Sequence, residues 1–138
     1  MTIQPMHVLV VDDEPDVELM FQHKFRKEIR SKKIGFHFAL SATEALDYLE
    51  SPSHRATATL ILSDINMPGM NGFELLKIIK EKYAQLPVLM VTAYGDEKSK
   101  EIAESYGVSG FINKPVDFTQ LKKDIFESIG TAPSSAVH

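Results

Sequence analysis

Apolar and polar positions follow two regimes along this chain. Five short runs are almost continuously apolar, at residues 8–11, 36–40, 60–63, 87–91 and 110–112. Runs of this length suit strands buried on both faces. Between them the apolar residues recur at helical spacing. Val17, Met20, Phe21 and Phe25 predict a first helix, and Ala42, Ala45, Leu46 and Leu49 a second after Ser41. Phe73, Leu76 and Ile79 predict a third, widened by Leu75 and Ile78. Ile102, Ala103 and Tyr106 mark a weaker fourth, and Phe118, Leu121, Ile125 and Ile129 a fifth. Pro15 suits the start of the first helix, Asp117 can cap the fifth, and Gly130 follows its last apolar residue. The order is (βα)₅, which implies an α/β fold with a parallel sheet covered on both faces.

Composition narrows the picture. A chain of 138 residues, 43% hydrophobic and 25% charged, fits one globular domain, expected over residues 1–130. Residues 131–138 are rich in Ser, Ala and Pro and read as a frayed tail or the start of a linker. A net charge of -4 argues against nonspecific nucleic-acid binding. Cysteine is absent, so there is neither a disulfide framework nor a thiolate metal site. No signal pattern or membrane-length apolar stretch is visible, and a cytoplasmic location is expected. Residues 51–58 read as a polar loop. The basic patch of Arg26, Lys27 and residues 30–33 reads as a solvated helix end, with a partner contact as the alternative. The five histidines are scattered, without metal spacing.

The chemistry lies where the apolar runs stop. Asp64 ends the third run, directly before a stretch rich in Pro and Gly, and Asp12 and Asp13 follow the first. Open parallel sheets build their sites at the C-terminal ends of strands. Three carboxylates there repel unless a cation neutralises them. A hard divalent ion such as Mg²⁺ takes oxygen ligands. Asp13 and Asp64 are the candidate direct ligands, with Asp12 helping directly or through water and the Asn66 carbonyl adding another oxygen. Asp64 can also attack phosphorus and form an acyl phosphate. Such a transfer needs fixed positive charge and donors. Lys114, after the fifth run, can supply the charge, and Thr92, after the fourth, a hydroxyl.

These residues carry a resemblance. Residues 11–14 (Val-Asp-Asp-Glu), the stretch Asp64-Ile65-Asn66-Met67-Pro68-Gly69-Met70-Asn71-Gly72, the Val91-Thr92-Ala93 step and Lys114-Pro115 together resemble the receiver domains of two-component response regulators, of the chemotaxis-regulator type. The resemblance spans residues 8 to about 129. It implies a flavodoxin-like, doubly wound sheet of strand order 2-1-3-4-5. It makes Asp64 the phosphoacceptor, Asp12 and Asp13 the acidic Mg²⁺ pair, Thr92 the switch hydroxyl, Lys114 the phosphate-contacting lysine and Phe111 the switch aromatic. It also implies a cis Lys114-Pro115 bond. Asp13 and Asp64 lie 51 positions apart, more than a compact receiver needs. The surplus fits a longer first helix or the 51–58 loop.

The resulting expectation is a signalling switch, not an enzyme acting on outside substrates. It would be phosphorylated by a sensor histidine kinase or phosphotransfer protein. Asn66 and Tyr94, two residues beyond Asp64 and Thr92, would tune dephosphorylation. The fourth helix, fifth strand and fifth helix would respond, through a homodimer or an effector partner, with no direct nucleic-acid or membrane contact. A phosphatase of the haloacid dehalogenase type expects an acid/base Asp two residues after the nucleophile, where this chain has Asn66. A binding module that is never phosphorylated would dispense with Asp64 or the acidic pair, and all three are present.

Overall fold

Each apolar run becomes a strand that feeds alternate residues into two different layers. In the computed structural model, which describes residues 6–58, 60–65, 69–93 and 97–130, the strands are β1 (Met6–Val11), β2 (Ile34–Ala39), β3 (Leu60–Asp64), β4 (Val88–Ala93) and β5 (Gly110–Lys114). All pairings are parallel, in the order β2-β1-β3-β4-β5. This is the flavodoxin-like order that the resemblance implied. Val8 and Val10 of β1 join Leu60 and Leu62 of β3 in one core layer, while Leu9, Val11 and Ile61 join the other. A period of two residues with both faces buried explains the unbroken apolar runs.

The helices among the described residues are α1 (Asp16–Lys24), α2 (Arg26–Arg30), α3 (Ala42–Glu50), α4 (Pro52–Thr57), α5 (Gly72–Lys82), α6 (Glu97–Ser105) and α7 (Phe118–Gly130). Ser41 Oγ caps α3 by accepting from the Glu44 N–H, and Asn71 Oδ1 caps α5 by accepting from the Glu74 N–H. Asp117 Oδ1 accepts from the N–H groups of Thr119 and Gln120, the capping role its position suggested.

Three expectations need correction. The first helix is divided at Phe25, whose backbone leaves helical geometry at φ -104° and ψ 14°. Hydrogen bonds still run from Phe25 N–H to Phe21 and from Ile29 N–H to Phe25, so the chain bends without stopping. The Phe25 ring, fully buried, stacks on Phe21 at 5.8 Å and meets Phe36 edge-on at 4.9 Å. The segment expected to be a polar loop, residues 51–58, contains α4. Pro52 begins it, and the Thr57 hydroxyl donates to the carbonyls of Ser53 and His54. Nor are the histidines all isolated. His37 and His54 stack on opposite sides of the contact chain through Tyr48, at 3.8 and 4.0 Å. Burial, then the neighbouring His54, holds the His37 pKa below its usual value.

Both additions lead into the N-terminal ends of strands, α2 into β2 and α4 into β3. The surplus length therefore sits at the opposite end of the sheet from Asp64. Lys122 of α7 reaches back to the first two helices. Its ammonium lies 3.2 Å from Glu28 of α2 and 5.3 Å from the centre of the Phe25 ring, so it is engaged on the α2 side.

The bend depends on its ring. Phe25→Ala should cost about 3–5 kcal/mol, read as a lower denaturant midpoint with an unchanged slope. A loss below about 1 kcal/mol would show that α1 and α2 are held by something other than this aromatic cluster.

Candidate functional site

Parallel strands all end at the same edge, so the sheet order decides which residues meet there. Val11 of β1 lies opposite Ser63 of β3, which sets Asp12 beside Asp64. Asp64 lies opposite Val91, and Val91 opposite Ile112, so Thr92 and Lys114 extend one and two residues past that row. Two residues of strand are about 7 Å, within reach of a lysine side chain folding back. Lys114 Nζ does so, donating to Asp64 Oδ2 at 2.9 Å.

Asp64 is 3% exposed and Thr92 1%. A carboxylate this buried needs a counter-charge, and Lys114 provides it. Asp12 is half-buried and Asp13 exposed, yet one carboxylate oxygen from each of Asp12, Asp13 and Asp64 lies within 4.8 Å of the other two. Burial pushes the Asp12 carboxyl up. The Glu14 N–H, which donates to Asp12 Oδ1 at 2.9 Å, pulls it down, and the charge of Asp64 pushes it up again. The net result lies above the ordinary carboxylate value. For Lys114, burial pulls the pKa down, but the hydrogen bond and charge of Asp64, with Asp12 and Glu14, more than offset this. Its ammonium is thus firmly cationic.

Three oxygens so close together fit a hard divalent cation. Burial first, and then the charge of Asp64, raises the Asp12 pKa. A cavity of about 290 Å³ opens beside the group, lined on its polar side by Asp12, Glu14, Asp64 and Lys114. The Lys114-Pro115 peptide bond is cis. Phe111, half-buried, packs against the core layer that contains Met90, with Lys100 Nζ 5.9 Å from its ring centre. Asn66 and Tyr94 lie outside the described residues.

Sequence reasoning missed two supports. The Ser63 hydroxyl donates to the Asp64 carbonyl at 3.0 Å. At Gly72 a side chain has no room: a Cβ there would collide with the Asp64 carbonyl oxygen and lie 2.7 Å from Ile65 Cα. The missing Cβ lets α5 start against the end of β3, with Gly72 N–H donating to Ile65 at 2.8 Å. The Asn71-x-x-Glu74 spacing, a helix-start signature, could have located that junction.

Comparison with known proteins agrees with this geometry. An uncharacterized 14.6 kDa protein of Leptolyngbya boryana is 35% identical over 87% of this chain and 87% of its own length. Response regulator Rre1 of Synechocystis is also 35% identical, over 86% of this chain, which spans 49% of that longer protein. The crystal structure of a response regulator receiver protein from Pseudomonas putida superposes with a TM-score of 0.76 at 26% identity, covering 91% of this chain and 99% of the other. The family model of the response regulator receiver domain matches residues 8–126, and the chain belongs to that family, the receivers of two-component signalling.

Proposed function

We propose that this protein is a phosphorylation-dependent switch whose acceptor is Asp64. The observation that carries the reading is the contact between Lys114 Nζ and the buried Asp64 carboxylate, set beside two further carboxylates. The donor is a phosphorylated imidazole of a sensor histidine kinase or phosphotransfer protein. The P–N bond breaks as Asp64 oxygen bonds to phosphorus, and the imidazole leaves with a proton from solvent. Asp12, Asp13 and Asp64, with the Asn66 carbonyl, would hold Mg²⁺, which when bound neutralises the carboxylates and the charge on the phosphoryl oxygens. Lys114 passes from the Asp64 carboxylate to a phosphoryl oxygen. Asn66 and Tyr94, two residues beyond Asp64 and Thr92 in the sequence, tune the lifetime of the acyl phosphate.

Readout runs through Thr92 and Phe111. The Thr92 hydroxyl donates to the phosphoryl group, its loop draws in, and Phe111 turns into the vacated space. The responding surface is α6, β5 and α7, where Lys100 already lies over the Phe111 ring. It serves an effector partner or a second activated copy, in the cytoplasm, without direct nucleic-acid or membrane contact.

Incubation with Mg²⁺ and acetyl phosphate should add one alkali-labile phosphoryl group, seen by intact mass. Asp64→Asn should abolish it, and equal labelling of that variant would overturn the assignment.

Asp12→Asn keeps the acceptor for the Glu14 N–H but removes a charge. The folded Asp12 pKa is raised, so the ionised group adds no penalty below its unfolded pKa and lowers stability as pH rises through the folded value. At pH 7 without metal the variant should therefore melt higher, by about 1–3 °C once solvent screening is allowed for. It should also gain less from added Mg²⁺. A lower melting temperature without metal would contradict the crowded-charge account.

Thr92→Ala should still accept the phosphoryl group. Beryllofluoride should shift the ring resonances of Phe111 in the wild type and leave them in place in the variant. A full shift without the hydroxyl would remove Thr92 from the switch.

A further inference from the structure

Among the described residues, β2 forms one margin of the sheet and pairs with β1 alone. Its register fixes which backbone groups face outward. Met6 N–H donates to Lys33 and Asp12 N–H to Ala39, with Met6 opposite Ile34 and Val10 opposite Phe38. In a parallel ladder the residue directly opposite turns its own N–H and C=O away. Ile34, Phe36 and Phe38 therefore present their amides to the open edge. Edge strands are commonly blunted by lysine, proline or a bulge. This one reads Ile-Gly-Phe-His-Phe-Ala and has no lysine or proline.

Phe36 and Phe38 also floor a groove of about 370 Å³ whose wall is Gln22, Arg26, Ile29 and Arg30. Gln22, Arg26 and Arg30 follow one another at four-residue spacing along α1 and α2, so the bend at Phe25 leaves them on one side. Neither arginine joins an ion pair among the described residues. Around them, Lys24, Lys27, Lys32 and Lys33 make this the most basic stretch of an otherwise acidic chain. Its one acid, Glu28, is engaged by Lys122. On the other side of β2 lie His37 and the Tyr48–His54 stack contributed by α3 and α4.

We infer that this margin is a docking site for an extended acidic segment of a partner protein, which adds a strand alongside β2. Main-chain bonds to the outward amides of Phe36 and Phe38 supply the register. Carboxylates at alternate positions meet Arg26 and Arg30, and apolar side chains between them rest on the ring stack. Charge complementarity selects this occupant over a second copy of the chain, which would bring basic groove to basic groove. It also outranks nucleic acid, since Phe36 and Phe38 are half-buried within the core and offer bases little free ring face. The inference goes beyond the proposed switch and does not depend on Asp64.

The test uses the full chain and a labelled peptide of about ten residues alternating Glu with Val. It should bind with strong salt dependence and slow hydrogen exchange at the Phe36 and Phe38 amides, whereas the Lys–Val counterpart should not bind. Arg26→Glu with Arg30→Glu should weaken binding at least about tenfold, and lysine at both positions should keep it within about threefold. Both variants should label with acetyl phosphate like the wild type, which separates failure here from failure of the Asp64 reading. Undiminished binding by the charge-reversed variant, or protection confined to other strands, would overturn the inference. So would tighter binding of a single-stranded oligonucleotide of matched charge, or self-association of the chain through the same residues.

Discussion

A carboxylate 3% exposed at the end of β3 imposes a condition on the whole sheet. It must have a cation within contact distance, because an unpaired buried charge costs several kcal/mol. Lys114 satisfies that condition from two strands away. It can do so only if β4 holds β5 in one register, since a slip by one residue would turn Lys114 to the other face. Gly72 imposes a second condition from the opposite direction, by letting α5 begin against the Asp64 carbonyl. The position of one aspartate thus couples three strands and a helix. The pairing is also replaceable: a divalent cation can take over part of the balance that Lys114 now supplies.

Much of this was legible because burial leaves a period in the sequence. The third run, residues 60–63, was located to within one residue of β3, since every position in it is buried. The edges of elements were less visible. β1 begins at Met6, and His7 interrupts the apolar signal. β5 continues to Lys114, although Asn113 and Lys114 are polar, because its ladder with β4 follows hydrogen bonds and not hydropathy. The bend at Phe25 was hidden for the same reason: its ring fits the helical stripe while its backbone departs from it. α4 has hardly any apolar residues to show a period. Its stability rests on a proline start and a stack of rings, neither of which a hydropathy pattern contains.

The carboxylates, Thr92 and Lys114 stood out because each terminates an apolar run, and a parallel sheet gathers such termini at one edge. What the linear pattern lacked was the division of labour among them. Asp12 and Asp13 are adjacent in sequence but differ in burial, and it is burial that raises the Asp12 pKa. Ser63, read as the end of an apolar run, is a buried donor to the neighbouring carbonyl.

The strand order has a further consequence. β2 and β5 lie at opposite margins, about 19 Å apart at the usual strand spacing. Between them run β1, β3 and β4. Among the described buried residues the polar ones are Ser63, Asp64 and Thr92, all at the C-terminal rim. Below that rim the interior strands form an apolar insulator, with no buried charge to conduct an electrostatic message across the sheet. An occupant on the β2 margin and a rearrangement on the β5 margin are therefore separated within the sheet, and what joins them runs through the helical layer, where Lys122 of α7 pairs with Glu28 of α2.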